Sequence, residues 1–162
     1  LARAKFEPID IGKMLEQLLT AREQRTSNQG VHIAFARPAK DVARVMGDGG
    51  RLARVFGNLL DNAVSFSPAG GLVEILATPD GDEIVIHVAD EGPGVRPEQR
   101  EEVFQRFHSD RPDGETFGKH SGLGLAIAKT IVEGHQGTIR ILDRPGGQSG
   151  ACFEIRLPKA AG

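Results

Sequence analysis

The chain has 162 residues and a net charge of −2 at neutral pH, room for one domain with a proper core and no basic field for nucleic acid as a main partner. A single cysteine, Cys152, excludes an intramolecular disulfide and a cysteine-based zinc site, and fits a reducing compartment. No apolar run approaches the ~18 residues of a membrane span and no signal peptide is visible, so a cytoplasmic piece without direct membrane contact is expected. The chain starts at Leu1 rather than Met, which fits a fragment of something longer.

Ile11, Met14, Leu15, Leu18 and Leu19 follow the helical stripe and predict a helix over 11–28, with Asp10 as N-cap and Gly30 as stop. Val31, Ile33 and Phe35 alternate as a strand does until Pro38. Asp48 caps a second helix, whose buried stripe is Leu52, Val55, Phe56, Leu59, Leu60 and Ala63, and Ser67 to Gly71 ends it. Strands over 72–78 and 83–90 follow, joined by the turn Pro79 to Asp82. A short helix starts near Pro97 and runs to about Phe107. Residues 108–121 are polar and aperiodic, the pattern of a mobile loop. A third long helix is predicted over 122–134, then strands near 137–142 and 150–157 across Pro145-Gly146-Gly147. The predicted architecture is one domain over 1–162 of the α+β class. Helices pack on one face of a mixed, mostly antiparallel sheet, giving a two-layer α/β sandwich.

Four motifs carry chemistry. In Asn58-Leu59-Leu60-Asp61-Asn62-Ala63 the two asparagines stack on one helix face beside the apolar stripe. Amide oxygens suit magnesium, which keeps several waters and takes substrate phosphates; a solvated Asn is the plainer alternative. In Asp90-Glu91-Gly92-Pro93-Gly94 the aspartate shares the apolar face of Ile84, Ile86 and Val88, where a carboxylate is costly unless paired. An adenine amine is one such partner, and Gly92 and Gly94 permit its close approach. No third glycine follows, so this is not a dinucleotide fingerprint. In Phe104-Gln105-Arg106-Phe107 the two rings serve either core packing or, below a closing loop, the base. Ser121-Gly122-Leu123-Gly124-Leu125 opens a helix whose first amides are unpaired and hold anions well. The run before it fails as a Walker motif: three residues separate Gly114 from Gly118, and His120 follows Lys119. His32 and His87 look like strand-surface residues and His135 like a helix C-terminal cation, while His108 and His120 flank the loop within reach of phosphate. Together the motifs describe an ATP site built without a P-loop.

In this order the motifs resemble the N, G1, F and G2 boxes of the catalytic ATP-binding domain of bacterial sensor histidine kinases, in the superfamily of gyrase, Hsp90 and MutL. The likeness covers about 45–158. Within that family the runs Asn-Ala-Val-Ser-Phe-Ser, Arg-Phe-His-Ser and Lys-His-Ser-Gly-Leu-Gly-Leu look closest to ChvG-type sensors of alphaproteobacteria. The resemblance implies a Bergerat-type sandwich binding ATP and Mg²⁺, with Asn62 as metal ligand and Asn58 near metal and phosphates. It sets Phe66 and Val95, with Phe107, against the base, Asp90 on the adenine amine, and 108–121 as the ATP lid. Amides of Ser121, Gly122, Leu123, Gly124 and Leu125 would hold the phosphates, with Lys119 or His120 adding charge at the γ-phosphate. Two positions depart from the family: Ser65 stands where Lys or Arg is frequent, and Cys152 where Thr is common.

The gyrase-like relatives carry a hydrolytic glutamate four residues before the metal-binding Asn, and here that position is Asn58, which is no base. The expectation is therefore phosphoryl transfer to a histidine on a separate dimerisation domain, and from there to a response regulator, in a membrane-anchored sensor. The sequence contains no His-Glu-Leu-Arg-like acceptor segment. A nucleotide-sensing module without phosphotransfer and an anti-sigma-factor-like serine kinase are the alternatives.

Overall fold

The computed structural model describes residues 5–105, 124–144, 146 and 148–160. A five-stranded sheet has the order β2-β4-β5-β7-β6, where β2 is His32–Phe35, β4 Leu72–Asp80, β5 Glu83–Ala89, β6 Thr138–Asp143 and β7 Ala151–Pro158. Only β2 and β4 run parallel; the other pairs are antiparallel, as the mixed, mostly antiparallel sandwich requires. Alternation divides the sheet. Val73, Ile75, Ala77, Ile84, Ile86, Val88, Ala151, Phe153, Ile155 and Leu157 join one core with residues of the helices. Glu154, His87, Arg140 and Arg156 stand on the opposite face and pair with one another.

The helix α3, Gly49–Phe66, follows its sequence signals closely. Asp48 Oδ1 accepts from Arg51 N at 3.1 Å, and all six residues of the predicted stripe are buried. The helix α4, Gly124–Gly134, seals the core with Ala128 and Val132. The helix expected over 11–28 is instead two, α1 at Ile11–Ala21 and α2 at Glu23–Gln29. Only the first part carries an apolar stripe, and the chain turns at Arg22, whose side chain reaches Asp61 at 2.8 Å. The short helix expected from Pro97 resolves into two 3-10 turns, Pro97–Gln99 and Glu102–Phe104.

Two short strands escape the sequence pattern: β1, Glu7–Asp10, pairs antiparallel with β3, Arg44–Gly47. His135 is also reassigned. It is buried, with Nδ1 donating to the Ile131 carbonyl at 2.8 Å and Nε2 accepting from Asp48 N at 3.0 Å. Those two bonds select the neutral imidazole, so His135 ties the end of α4 to the cap of α3 rather than acting as a cation. Among the described residues no helix is long and apolar enough to cross a membrane.

Candidate active site

Three of the four motifs lie along the C-terminal half of α3. Asn58 and Asn62 lie one turn apart on its flank, both half-buried. Asn58 Nδ2 donates to the Gly124 carbonyl at 3.3 Å, which joins the asparagine motif to the first residue of α4. Phe66 closes α3, and the loop after β5 lies directly against it. A Cβ at Gly92 would stand 2.8 Å from the Phe66 carbonyl oxygen and 3.0 Å from the Phe66 Cβ, so only glycine fits there. Val95 packs on the core, and its carbonyl accepts from Arg100 Nε at 2.9 Å. Arg100 also pairs with Asp143 at the end of β6. Phe104 is a core residue: its ring meets Phe153 edge to face at 6.3 Å, and Lys129 Nζ of α4 lies 5.7 Å from the ring centroid. Leu125 is partly buried against the same core.

Asp90 is the buried carboxylate of this region. It is 3% exposed, one residue past β5, on the core face as its register implies. Its Oδ1 accepts from Gly92 N at 2.9 Å and from Ala151 N at 3.3 Å. Among the described residues both side-chain hydrogen bonds fall on Oδ1. Burial pushes the Asp90 carboxyl above the ordinary range, while the two N–H donors and the charge of Arg144 oppose it.

The β7 residue beside Asp90 is Ala151, and Cys152, at the position where Thr is common in the family, is the next residue along the strand. The register pairs Cys152 with Ala89, and alternation turns its side chain to the face that carries Glu154 and Arg156, away from Asp90. Cys152 stays outside the main core cluster although it is buried. Its thiol is pushed up to about 11, by burial first and then by Glu154 and Asp90, with Arg144 opposing. Ser65 is half-buried on α3, one residue before Phe66. Arg106, Phe107, His108, Lys119, His120, Ser121, Gly122 and Leu123 lie outside the described residues.

Arg144 and Ser149 were not anticipated as parts of this region, and Glu91, though inside the glycine motif, was given no role. Arg144 is 6% exposed; it donates to the Ser149 carbonyl at 2.9 Å and to Glu74 at 3.3 Å, and stands 3.8 Å from Glu91. Glu91 in turn accepts from Leu72 N at 2.6 Å. A carboxylate on an apolar strand face needs donors, and that was the sequence signal for a braced Asp90. Nothing in the pattern named the brace. Among the described residues no group of three or more His, Cys, Asp or Glu could hold a metal.

A model of the family described as histidine kinase-, DNA gyrase B-, and HSP90-like ATPase matches residues 47–161, and the chain belongs to that family. It is similar to the sensor protein ChvG of Rhizobium meliloti (strain 1021), 38% identical over 98% of this chain and 29% of that protein. The sensor-like histidine kinase SenX3 of Mycobacterium tuberculosis (strain ATCC 25618 / H37Rv) is 35% identical over 93% of the chain and 36% of the relative. Among solved structures, the mycobacterial sensor histidine kinase MprB superposes with a TM-score of 0.78 at 32% identity, covering 95% of this chain and 97% of that one. Within its family the chain is therefore an ATP-binding catalytic domain of the sensor histidine kinase kind. It spans roughly a third of the curated relatives, 29% and 36% of the two named.

Proposed function

We propose that the chain binds Mg-ATP at the Asp90 end of α3 and presents the γ-phosphoryl group to a histidine on a separate dimerisation domain. The observation that carries this reading is Asp90: a buried carboxylate whose two side-chain hydrogen bonds among the described residues both fall on Oδ1, beside a glycine loop seated on Phe66. That donor arrangement fits a ligand amine at Oδ2, and the 6-amine of adenine is the matching group. Phe66 and Val95 flank the base, with Gly92 and Gly94 allowing its approach. Amide oxygens of Asn62 and Asn58 suit Mg²⁺, which supplies charge neutralisation at the phosphates when bound. Gly124 and Leu125 begin the helix whose N-terminal dipole favours phosphate, and Ser121, Gly122 and Leu123 complete that segment. Phe107 against the base, and Lys119 and His120 at the γ-phosphate, belong to the same reading. The solved structure of ShkA, 29% identical with a TM-score of 0.80 over 99% of this chain and 33% of that one, is a complex with AMPPNP, which supports it.

Asn58, in the place of the gyrase-like glutamate, leaves water without a base, so the arrangement favours transfer to a positioned acceptor over hydrolysis. The same proposal includes the further relay to a response regulator and a place on the cytoplasmic side of a membrane-anchored sensor, supported by the likeness to proteins named as sensors. Calorimetric titration with ADP and IDP tests the site, since the two differ at the 6-amine. Asp90→Asn is expected to weaken ADP by about tenfold or more and to leave IDP nearly unchanged. Equal loss for both nucleotides would refute the assignment.

A further inference from the structure

We infer that Arg144 is a positioning residue for base recognition, holding the 149–151 segment against Asp90 so that the carboxylate offers Oδ2 to a purine amine. The inference rests on the nucleotide reading of Asp90 given above.

The argument starts from an anomaly. Arg144 is 6% exposed, yet its ion partners are not buried with it: Glu74 and Glu91 have side chains 51% and 39% exposed. Among the described residues its buried Nε has no hydrogen-bond partner. An orphaned guanidinium N–H carries a desolvation penalty, so stability alone does not explain why this charge is drawn inside.

What the guanidinium reaches supplies a reason. Nη1 donates to the Ser149 carbonyl at 2.9 Å, and Ser149 Oγ donates to the Gly92 carbonyl at 2.9 Å. Two residues on, Ala151 N donates to Asp90 Oδ1, while Asp90 N donates to the Ala151 carbonyl at 2.9 Å. The segment 149–151 is thus a strap that fixes both the carboxylate and the glycine loop after it. The strap runs at contact distance. Gly150 has φ +122, and a Cβ there would overlap the Asp90 carbonyl and meet the Arg144 Cδ at 2.8 Å. A planar fork spanning Ser149 and Glu74 sets that distance in a way a flexible ammonium does not. With the strap in place Oδ1 is taken twice by backbone donors, and the carboxylate has one orientation left in which to meet a ligand.

A purely structural brace would weaken all nucleotides alike. A positioning residue changes discrimination. The dissociation constants of ADP and IDP are therefore measured by calorimetry for the unmodified chain and for Arg144→Met, Ser149→Ala, Asp90→Asn and the Arg144→Met/Asp90→Asn double variant. Arg144→Met is expected to cut the IDP-to-ADP ratio of dissociation constants about tenfold, and to add nothing to that ratio in the Asp90→Asn background. Ser149→Ala, which removes only the link to Gly92, is expected to lower the ratio about threefold and decides the matter if Arg144→Met does not fold. An Arg144→Met ratio equal to that of the unmodified chain, or a Ser149→Ala ratio unchanged where it is the deciding variant, overturns the inference. If Asp90→Asn itself leaves the ratio unchanged, the nucleotide reading fails instead.

Discussion

Glu154 and Cys152 sit two apart on the same face of β7, and their environments drive them in opposite directions. Burial raises both. For Cys152 the nearby carboxylates add to that effect, leaving a thiol with little thiolate at neutral pH. For Glu154, hydrogen bonds from Arg140, His87 and Arg156 more than reverse burial, and the carboxyl is held down at about 2. A depressed folded-state value contributes stability above the ordinary glutamate range, and that contribution is lost as pH falls through the range toward 2. Glu154 is nearly buried, so an uncharged replacement leaves three donors facing a weaker acceptor. Glu154→Gln is expected to cost about 2 kcal/mol in urea unfolding at pH 7. The gap to the unmodified chain should narrow steadily between pH 4.5 and about 2. A difference independent of pH would show that packing, not charge, dominates this position.

At the scale of elements, α3 shows what local sequence determines and what it does not. Its cap and buried stripe are short-range features, and both were readable from Asp48 and from the spacing of Leu52 to Ala63. The opposite flank depends on distant chain. Arg22 and Arg25 both reach Asp61, and Gly57 leaves the room: a Cβ there would lie 2.7 Å from Arg22 Nη2. That tertiary pair lies where the predicted single helix 11–28 breaks, and no periodicity within 11–28 could reveal it. The strands β1 and β3 were missed for a related reason, since each has four residues and its register comes from a partner far along the chain. The site divides the same way. Asn58, Asp90, Gly92 and Gly124 advertised themselves by residue type, whereas Ala151 acts through its backbone and Arg144 through a turn read only as a hairpin connection. Gly57→Ala tests the flank. In the unmodified chain the helix-propensity gain of about 1 kcal/mol is offset by the displaced Arg22–Asp61 pair, and the net change is near zero. In an Arg22→Ala background the same substitution should stabilise by about 1 kcal/mol in urea titrations. A destabilising Gly57→Ala in both backgrounds would place the constraint elsewhere.

At the scale of the whole molecule, the question is what the Asp90 end of α3 faces. The sheet offers one covered side and one charged side. Glu154 and its partners line the charged side, remote in parity from Asp90. His87 is engaged by Glu154, and His135 has both ring nitrogens bonded inside the fold, so neither is placed to accept a phosphoryl group. No segment of the sequence resembles the helical His-Glu-Leu-Arg context that the family uses as acceptor. On the proposed function, phosphoryl transfer from this site goes to an acceptor brought to it, and the requirement is geometric, because effective concentration rather than acid–base chemistry supplies most of the rate. The chain incubated with γ-labelled ATP and Mg²⁺ is expected to acquire no acid-labile label, while still binding nucleotide in a parallel titration. A helical dimer bearing a His-Glu-Leu-Arg-like segment, added in trans, should become labelled on its histidine, and Asp90→Asn should slow that labelling in proportion to its loss of ADP affinity. Label on the chain alone would mean that an internal histidine serves as acceptor. Nucleotide binding with no label on any acceptor offered would instead favour the sensing module over the kinase.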